Sequence, residues 1–190
     1  MRERGKADFH YFANEILGYG RGPYNLESSS GMHQGMDDWL GGVFTDPRMF
    51  HLMLDFRGSG KSLKGGVSHT LWRGIRNPNI TIRYMHADED MASEIMAQMR
   101  GHLEGNETFR TLYAQEIFQP KDDGGSKLVV DNESFTLNRS YAPLTPTIRM
   151  LGYKSGKIGT HVDLFVLDDL VNEKTTQSPL LMESVRHFVT

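Results

Sequence analysis

Asp55-Phe56-Arg57-Gly58-Ser59-Gly60-Lys61-Ser62 is the stretch on which the fold turns. It follows a short apolar run, Met49-Phe50-His51-Leu52-Met53-Leu54, which reads as a buried strand. It opens a helix predicted over 61–75 that stops before Asn77-Pro78. Strand, glycine-rich turn and helix together are the setting of a phosphate loop. The glycines let backbone N–H groups turn inward around phosphate oxygens, and the helix N-terminus adds partial positive charge. Gly58, Ser59 and Gly60 supply that cradle, Lys61 is expected to reach the β- and γ-phosphates, and the Ser62 hydroxyl is expected to hold Mg2+. Arg57 lies inside the loop, where a guanidinium can grip γ-phosphate oxygens or can pair with Asp55 two residues earlier. The full pattern asks for glycine at position 55, so the loop is a variant.

A second motif stands far downstream. In Leu164-Phe165-Val166-Leu167-Asp168-Asp169 four apolar residues end in two carboxylates. A buried strand would deliver Asp168 to the carboxyl edge of a sheet, where open α/β sheets bind ligands. Beside a phosphate loop, Asp168 is the expected Mg2+ carboxylate, and Asp169 could then orient an attacking water. The long interval between the motifs leaves room for extra strands. The expected fold is therefore α/β, a P-loop NTPase of the additional-strand (ASCE) type, with a mainly parallel sheet flanked by helices.

Other segments fit that frame. Ile80–Met85 alternates like a strand, and Asp88 caps a helix whose Met91, Ile95, Met99 and Leu103 form an apolar stripe. Residues 128–130 and 135–137 read as a hairpin, residues 148–153 as a strand, and Ser178-Pro179 as the start of a last helix. Residues 1–47 read as an N-terminal appendage, aromatic at Phe9–Phe12, loop-like from Gly18 to Gly35, with a short helix at 36–40. Residues 48–190 form the expected catalytic core.

Composition narrows the function classes. The chain has 190 residues, 38% hydrophobic and 24% charged, with net charge −3, which suits a soluble globular protein. It has no cysteine, which excludes disulfides, iron–sulfur clusters and thiolate zinc sites. Its 8 histidines include no i, i+4 pair, so zinc is not expected. No apolar run approaches the roughly 18 residues of a membrane span. Charge is uneven: residues 48–86 are basic and 88–123 acidic, as two faces of opposite sign or as two solvated helices of different composition.

The phosphate loop resembles the Arg-Gly-x-Gly-Lys-Ser Walker A of large terminase subunits, the DNA-packaging ATPases of tailed phages. His33-Gln34, ahead of Trp39, is similar to that family's adenine-recognising segment, which would make Gln34 a nucleotide contact. Leu164 to Val171 looks like its Walker B. The resemblance implies ATP and Mg2+ as cofactors, and ATP hydrolysis driving double-stranded DNA into a procapsid. It further implies a portal protein and a small terminase subunit as partners, a homo-oligomeric ring, no membrane, and a location in the host cell cytoplasm. Three departures matter. Many members end Walker B in Asp-Glu, so here Asp169 or Glu173 would position the water. The arginine finger has no clean match among Arg139, Arg149, Lys157 and Arg186. The family's nuclease domain, and with it endonuclease activity, is expected in the full-length protein outside these residues, and the ATPase core is expected to be incomplete. Another nucleic-acid motor such as a helicase, a small-molecule phosphotransferase and a non-enzymatic nucleotide-binding module remain alternatives.

Overall fold

The computed structural model describes residues 1–21, 30–43, 45–48, 50–141, 145–152, 162–170, 176 and 183. In the N-terminal part, α1 (Arg2–Ala7), α2 (Phe9–Tyr11) and a π-helical turn (Phe12–Ile16) lead towards α3 (Ser30–Val43). The phosphate-loop motif then feeds a π-helix, Ser62–Ser68, which runs directly into α4 (His69–Arg76). β1 (Ile82–His86) follows, then α5 (Glu89–Gly105), α6 (Glu107–Leu112) and α7 (Ala114–Ile117). The remaining strands are β2 (Gln119–Pro120), β3 (Ser126–Lys127), β4 (Val129–Val130), β5 (Ser134–Thr136), β6 (Ile148–Gly152) and β7 (Leu164–Asp168).

The main sheet has five strands in the order β4-β5-β6-β1-β7, while β2 and β3 make a separate antiparallel pair. β1 is parallel to both β6 and β7, but β4–β5 and β5–β6 are antiparallel. The sheet is thus mixed, not mainly parallel as expected. The cause is local. Asp131 accepts from the backbone N–H groups of Glu133 and Ser134, closing a turn so short that only antiparallel strands can be joined by it.

β1 is buried along its whole length. Ile82 and Tyr84 join the main core, while Met85 joins Leu151 and Leu170 in a smaller cluster. α5 covers β1 and β6. It starts at Asp88, whose carboxylate accepts from the N–H groups of Asp90 and Met91, as the sequence predicts. Its buried face is Ala92, Ile95, Met96, Met99 and Leu103, and Met91 is instead 40% exposed. Steps of four residues overshoot a turn of 3.6, so a strict i, i+4 stripe drifts off the buried face.

The N-terminal segment fills the same core as the sheet and helices. Phe9, Phe12, Ile16, Tyr19, Met36 and Leu40 cluster with Trp72, Tyr84 and Phe109. The Trp72 indole N–H donates to the Gly5 carbonyl at 2.9 Å, and its ring meets Phe9 edge-on. Helix α3 is longer than the short helix expected at 36–40.

The apolar run before the phosphate loop is not a buried strand. Residues 50–54 pair with no strand among the described residues, and Phe50, Leu52 and Leu54 are largely exposed; Met49 lies outside the described residues. The inner side of this segment meets a helix instead of the sheet: the Met53 methyl lies 3.0 Å from where a Gly65 Cβ would sit. β7 is correspondingly an edge strand among the described residues, with Phe165 and Leu167 more than 40% exposed. Tyr153 and the helix predicted at Ser178-Pro179 lie outside the described residues. The basic stretch 48–86 is no uniform face, because Lys64 and Arg83 are buried.

Candidate functional site

Two turns build the site. In the first, Gly58 and Gly60 hold φ values of 86° and 83°, a left-handed region that a β-carbon disfavours. This lets the loop reverse twice and enter the π-helix, where the Lys64 N–H donates to the Gly60 carbonyl at 2.9 Å. In the second, β7 ends at Asp168, and Asp169 turns away with φ 44°. A non-glycine residue at positive φ is strained, and such strain concentrates at functional sites.

The turns meet. Lys61 Nζ donates to Asp169 Oδ1 at 2.9 Å, although the residues are 108 positions apart. This hydrogen bond, above all else, raises the Lys61 pKa and keeps the ammonium charged. Tyr84 Oη donates to Asp168 Oδ2 at 2.6 Å. Burial first, then the Asp168 charge, push the Tyr84 pKa up, so the phenol holds its proton. The two carboxylates that the sequence singles out therefore have different partners.

A second layer lies behind the loop. His33 Nε2 approaches the Ser59 carbonyl oxygen at 2.8 Å, which fixes that nitrogen as the donor. One turn later on α3, Asp37 Oδ2 accepts from Lys64 Nζ at 2.6 Å, with both side chains fully buried. Asn14 and His10 complete the group, at 3.1 Å from Lys64 Nζ and 2.7 Å from Asp37 Oδ2. Asp37 Oδ1 is buried without a hydrogen-bond partner among the described residues. The helix carrying Lys61 is thus anchored to α3 by a buried ion pair.

Of the residues selected from sequence, the structure brings Lys61 to Asp169 and places Ser62 as the first residue of the π-helix. Arg57 is exposed and, among the described residues, makes no ion pair; the Asp55 carboxylate accepts from the Phe56 N–H instead. Gln34 is exposed and donates to Asp38, so it is the neighbouring His33 that touches the loop. Glu173, Lys157 and Arg186 lie outside the described residues. Arg139 is committed to structure: its guanidinium donates to the carbonyls of Pro78, Ile80 and Thr145 and to the Thr147 hydroxyl. Tyr84, Lys64, Asp37 and Asn14 carried no motif by which sequence could select them.

The donor set suits magnesium held with a polyphosphate. Among the described residues no cluster of three or more acidic or histidine side chains forms a metal cage. Magnesium usually takes only one or two carboxylates and completes its shell with waters and substrate phosphates. Ser62 and Asp168 offer hard oxygens of that kind, and Lys61 offers an ammonium, while the Ser59 N–H donates to the Phe56 carbonyl at 3.3 Å. The buried Ser59 hydroxyl has no hydrogen-bond partner among the described residues. Among the described residues no helix is long and apolar enough to cross a membrane.

The chain matches no protein-family model and no curated protein.

Proposed function

We propose that this chain is a P-loop ATPase core that hydrolyses ATP to ADP and phosphate where the two turns meet. The observation that carries the reading is the Lys61–Asp169 contact, which joins a glycine turn at a helix start to a carboxylate pair at a strand end. In this reading Gly58 and Gly60 turn backbone N–H groups onto the phosphates, and the Ser59 N–H joins them by leaving the Phe56 carbonyl. Lys61 leaves Asp169 for the β- and γ-phosphate oxygens. Ser62 and Asp168 hold magnesium, whose charge offsets that developing on the transferred phosphoryl group. Asp169, released from Lys61, accepts a proton from the attacking water or orients it, a role Glu173 could share. Exposed Arg57 is free to turn onto the γ-phosphate.

The finer reading is a viral DNA-packaging motor of the large-terminase kind, acting as a ring with a portal protein and a small terminase subunit on double-stranded DNA. Its support is the Arg57-Gly58-Ser59-Gly60-Lys61-Ser62 sequence and the terminal Asp168-Asp169 pair. The test is ATP turnover by the chain, alone, with double-stranded DNA, and with DNA plus portal-bearing procapsids. Stimulation by DNA and procapsid together supports the motor. Turnover indifferent to both overturns it and favours a small-molecule phosphotransferase. No turnover under any condition overturns the ATPase reading.

A further inference from the structure

Three elements converge on the Tyr84 hydroxyl. Tyr84 lies in the middle of β1 and is fully buried. It is paired in register with Val166, and Asp168 stands two residues further along β7 on the same face. The hydroxyl therefore reaches diagonally along the neighbouring strand to Asp168 Oδ2. On its way it passes the π-helix at Gly66. A β-carbon there would lie 3.0 Å from the Tyr84 oxygen and 3.2 Å from its Cε2. The absence of a side chain at position 66 is what leaves the hydroxyl its place.

We propose that Tyr84 is the positioning residue of Asp168: it ties down Oδ2 so that Oδ1 is presented to the magnesium of a bound nucleotide, and Gly66 is the notch that admits it. The proposal rests on the reading of this site as a nucleotide site. Without the hydroxyl, the half-buried Asp168 carboxylate at the end of β7 loses the hydrogen bond that fixes Oδ2. Outer partners that orient metal-binding carboxylates typically account for about 10–100-fold in metal affinity. The hydroxyl would act on magnesium through Asp168, without touching the phosphates.

The experiment is equilibrium binding of a fluorescent ADP analogue to the 190-residue chain, in excess Mg2+ and in EDTA, with thermal melting measured in parallel. The parent chain is expected to bind in both and more tightly with Mg2+. Tyr84→Phe keeps the ring and deletes one hydroxyl. It should reduce the Mg2+-dependent gain in affinity by about tenfold while leaving affinity in EDTA unchanged. Gly66→Ala, whose methyl would crowd the hydroxyl while residue 84 stays tyrosine, should reduce the same gain. In an Asp168→Asn background, Tyr84→Phe should have no further effect. Either single variant retaining the full gain overturns the proposal, as does an equal loss in Mg2+ and EDTA; nucleotide binding by the parent then leaves the site reading intact. A parent chain that binds no nucleotide in either condition overturns both.

Discussion

The Lys61 ammonium stands 2.9 Å from the Asp169 carboxylate, so the cation at the head of the π-helix and the acid after β7 hold each other. Asp169 is half-exposed at this contact, and exposed ion pairs contribute only about 0–1 kcal/mol. Such a contact is readily exchanged, and on the proposed reading a phosphate oxygen replaces the carboxylate.

On the proposed reading, replacing Lys61 by alanine removes the ammonium that would hold the phosphates. ATP turnover should fall by about a hundredfold or more, the scale seen when one preorganised charge donor is lost. Steady-state phosphate release checks this, and turnover within tenfold of the parent would defeat the proposed role.

Asp169→Asn separates the two functions given to that carboxylate. Without its charge Lys61 is released, and a non-hydrolysable ATP analogue should bind severalfold more tightly. Turnover should nonetheless fall, because the amide cannot accept the water's proton. Titration and single-turnover kinetics on one preparation decide the matter. Weaker binding would mean that Asp169 helps to hold nucleotide.

The buried Asp37–Lys64 pair makes an asymmetric prediction. Asp37→Ala leaves an unneutralised ammonium at zero exposure and should destabilise the fold by about 3–5 kcal/mol. Lys64→Met with Asp37→Leu removes both charges and should be far milder than Asp37→Ala alone. Urea unfolding measures both. Equal losses would show that shape, not charge, matters there.

His69 sets an acid limit. It is buried between Phe9 and Trp72, and desolvation, with the charges of Arg73 and His51 adding to it, pushes its pKa down to about 3. Its folded pKa is depressed below the usual value of 6.5. Between those values the unfolded chain takes up a proton that the native chain refuses. Stability therefore falls as pH drops through this window, by up to about 1.4 kcal/mol per pH unit from this group. His69→Phe should flatten the fall in urea midpoint between pH 6.5 and 4. An unchanged slope would assign the acid sensitivity elsewhere, with His102 the next group to test.

Gly5→Ala should be unusually damaging for a helix substitution, because Gly5 is the buried residue of α1. A β-carbon there would lie 2.2 Å from the Tyr113 hydroxyl oxygen and 2.4 Å from Ile16 Cδ1. Overpacking of this kind costs about 1–3 kcal/mol, readable as a lower melting temperature.

What the sequence revealed was mostly local. The turn glycines, the Asp88 cap, the β4–β5 hairpin and the Asp168-Asp169 strand end each follow from residues close together in the chain. Residues 49–54 misled because an apolar run does not say which surface will cover it. Only Met53 among 50–54 found clear cover beside the phosphate-loop helix, while Phe50, Leu52 and Leu54 face outward. Leu164–Leu167 was over-read for the same reason: apolar composition does not distinguish a central strand from an edge. Tyr84, Asp37 and Lys64 were invisible because their roles depend on partners 84 and 27 positions away. A lone tyrosine in a strand or a lysine in a helix carries no record of such partners.

The packing of the first helices beneath Trp72 and Tyr113 bears on how the protein can be trimmed. Phe9, Phe12, Ile16 and Tyr19 are interior side chains of the same core that supports β1. A shortened version starting at residue 48 would uncover Trp72 and strip Asp37 from Lys64, leaving an apolar cleft with a stranded charge at its floor. Expression trials should keep the leader intact and place purification handles before Met1, whose side chain is 70% exposed.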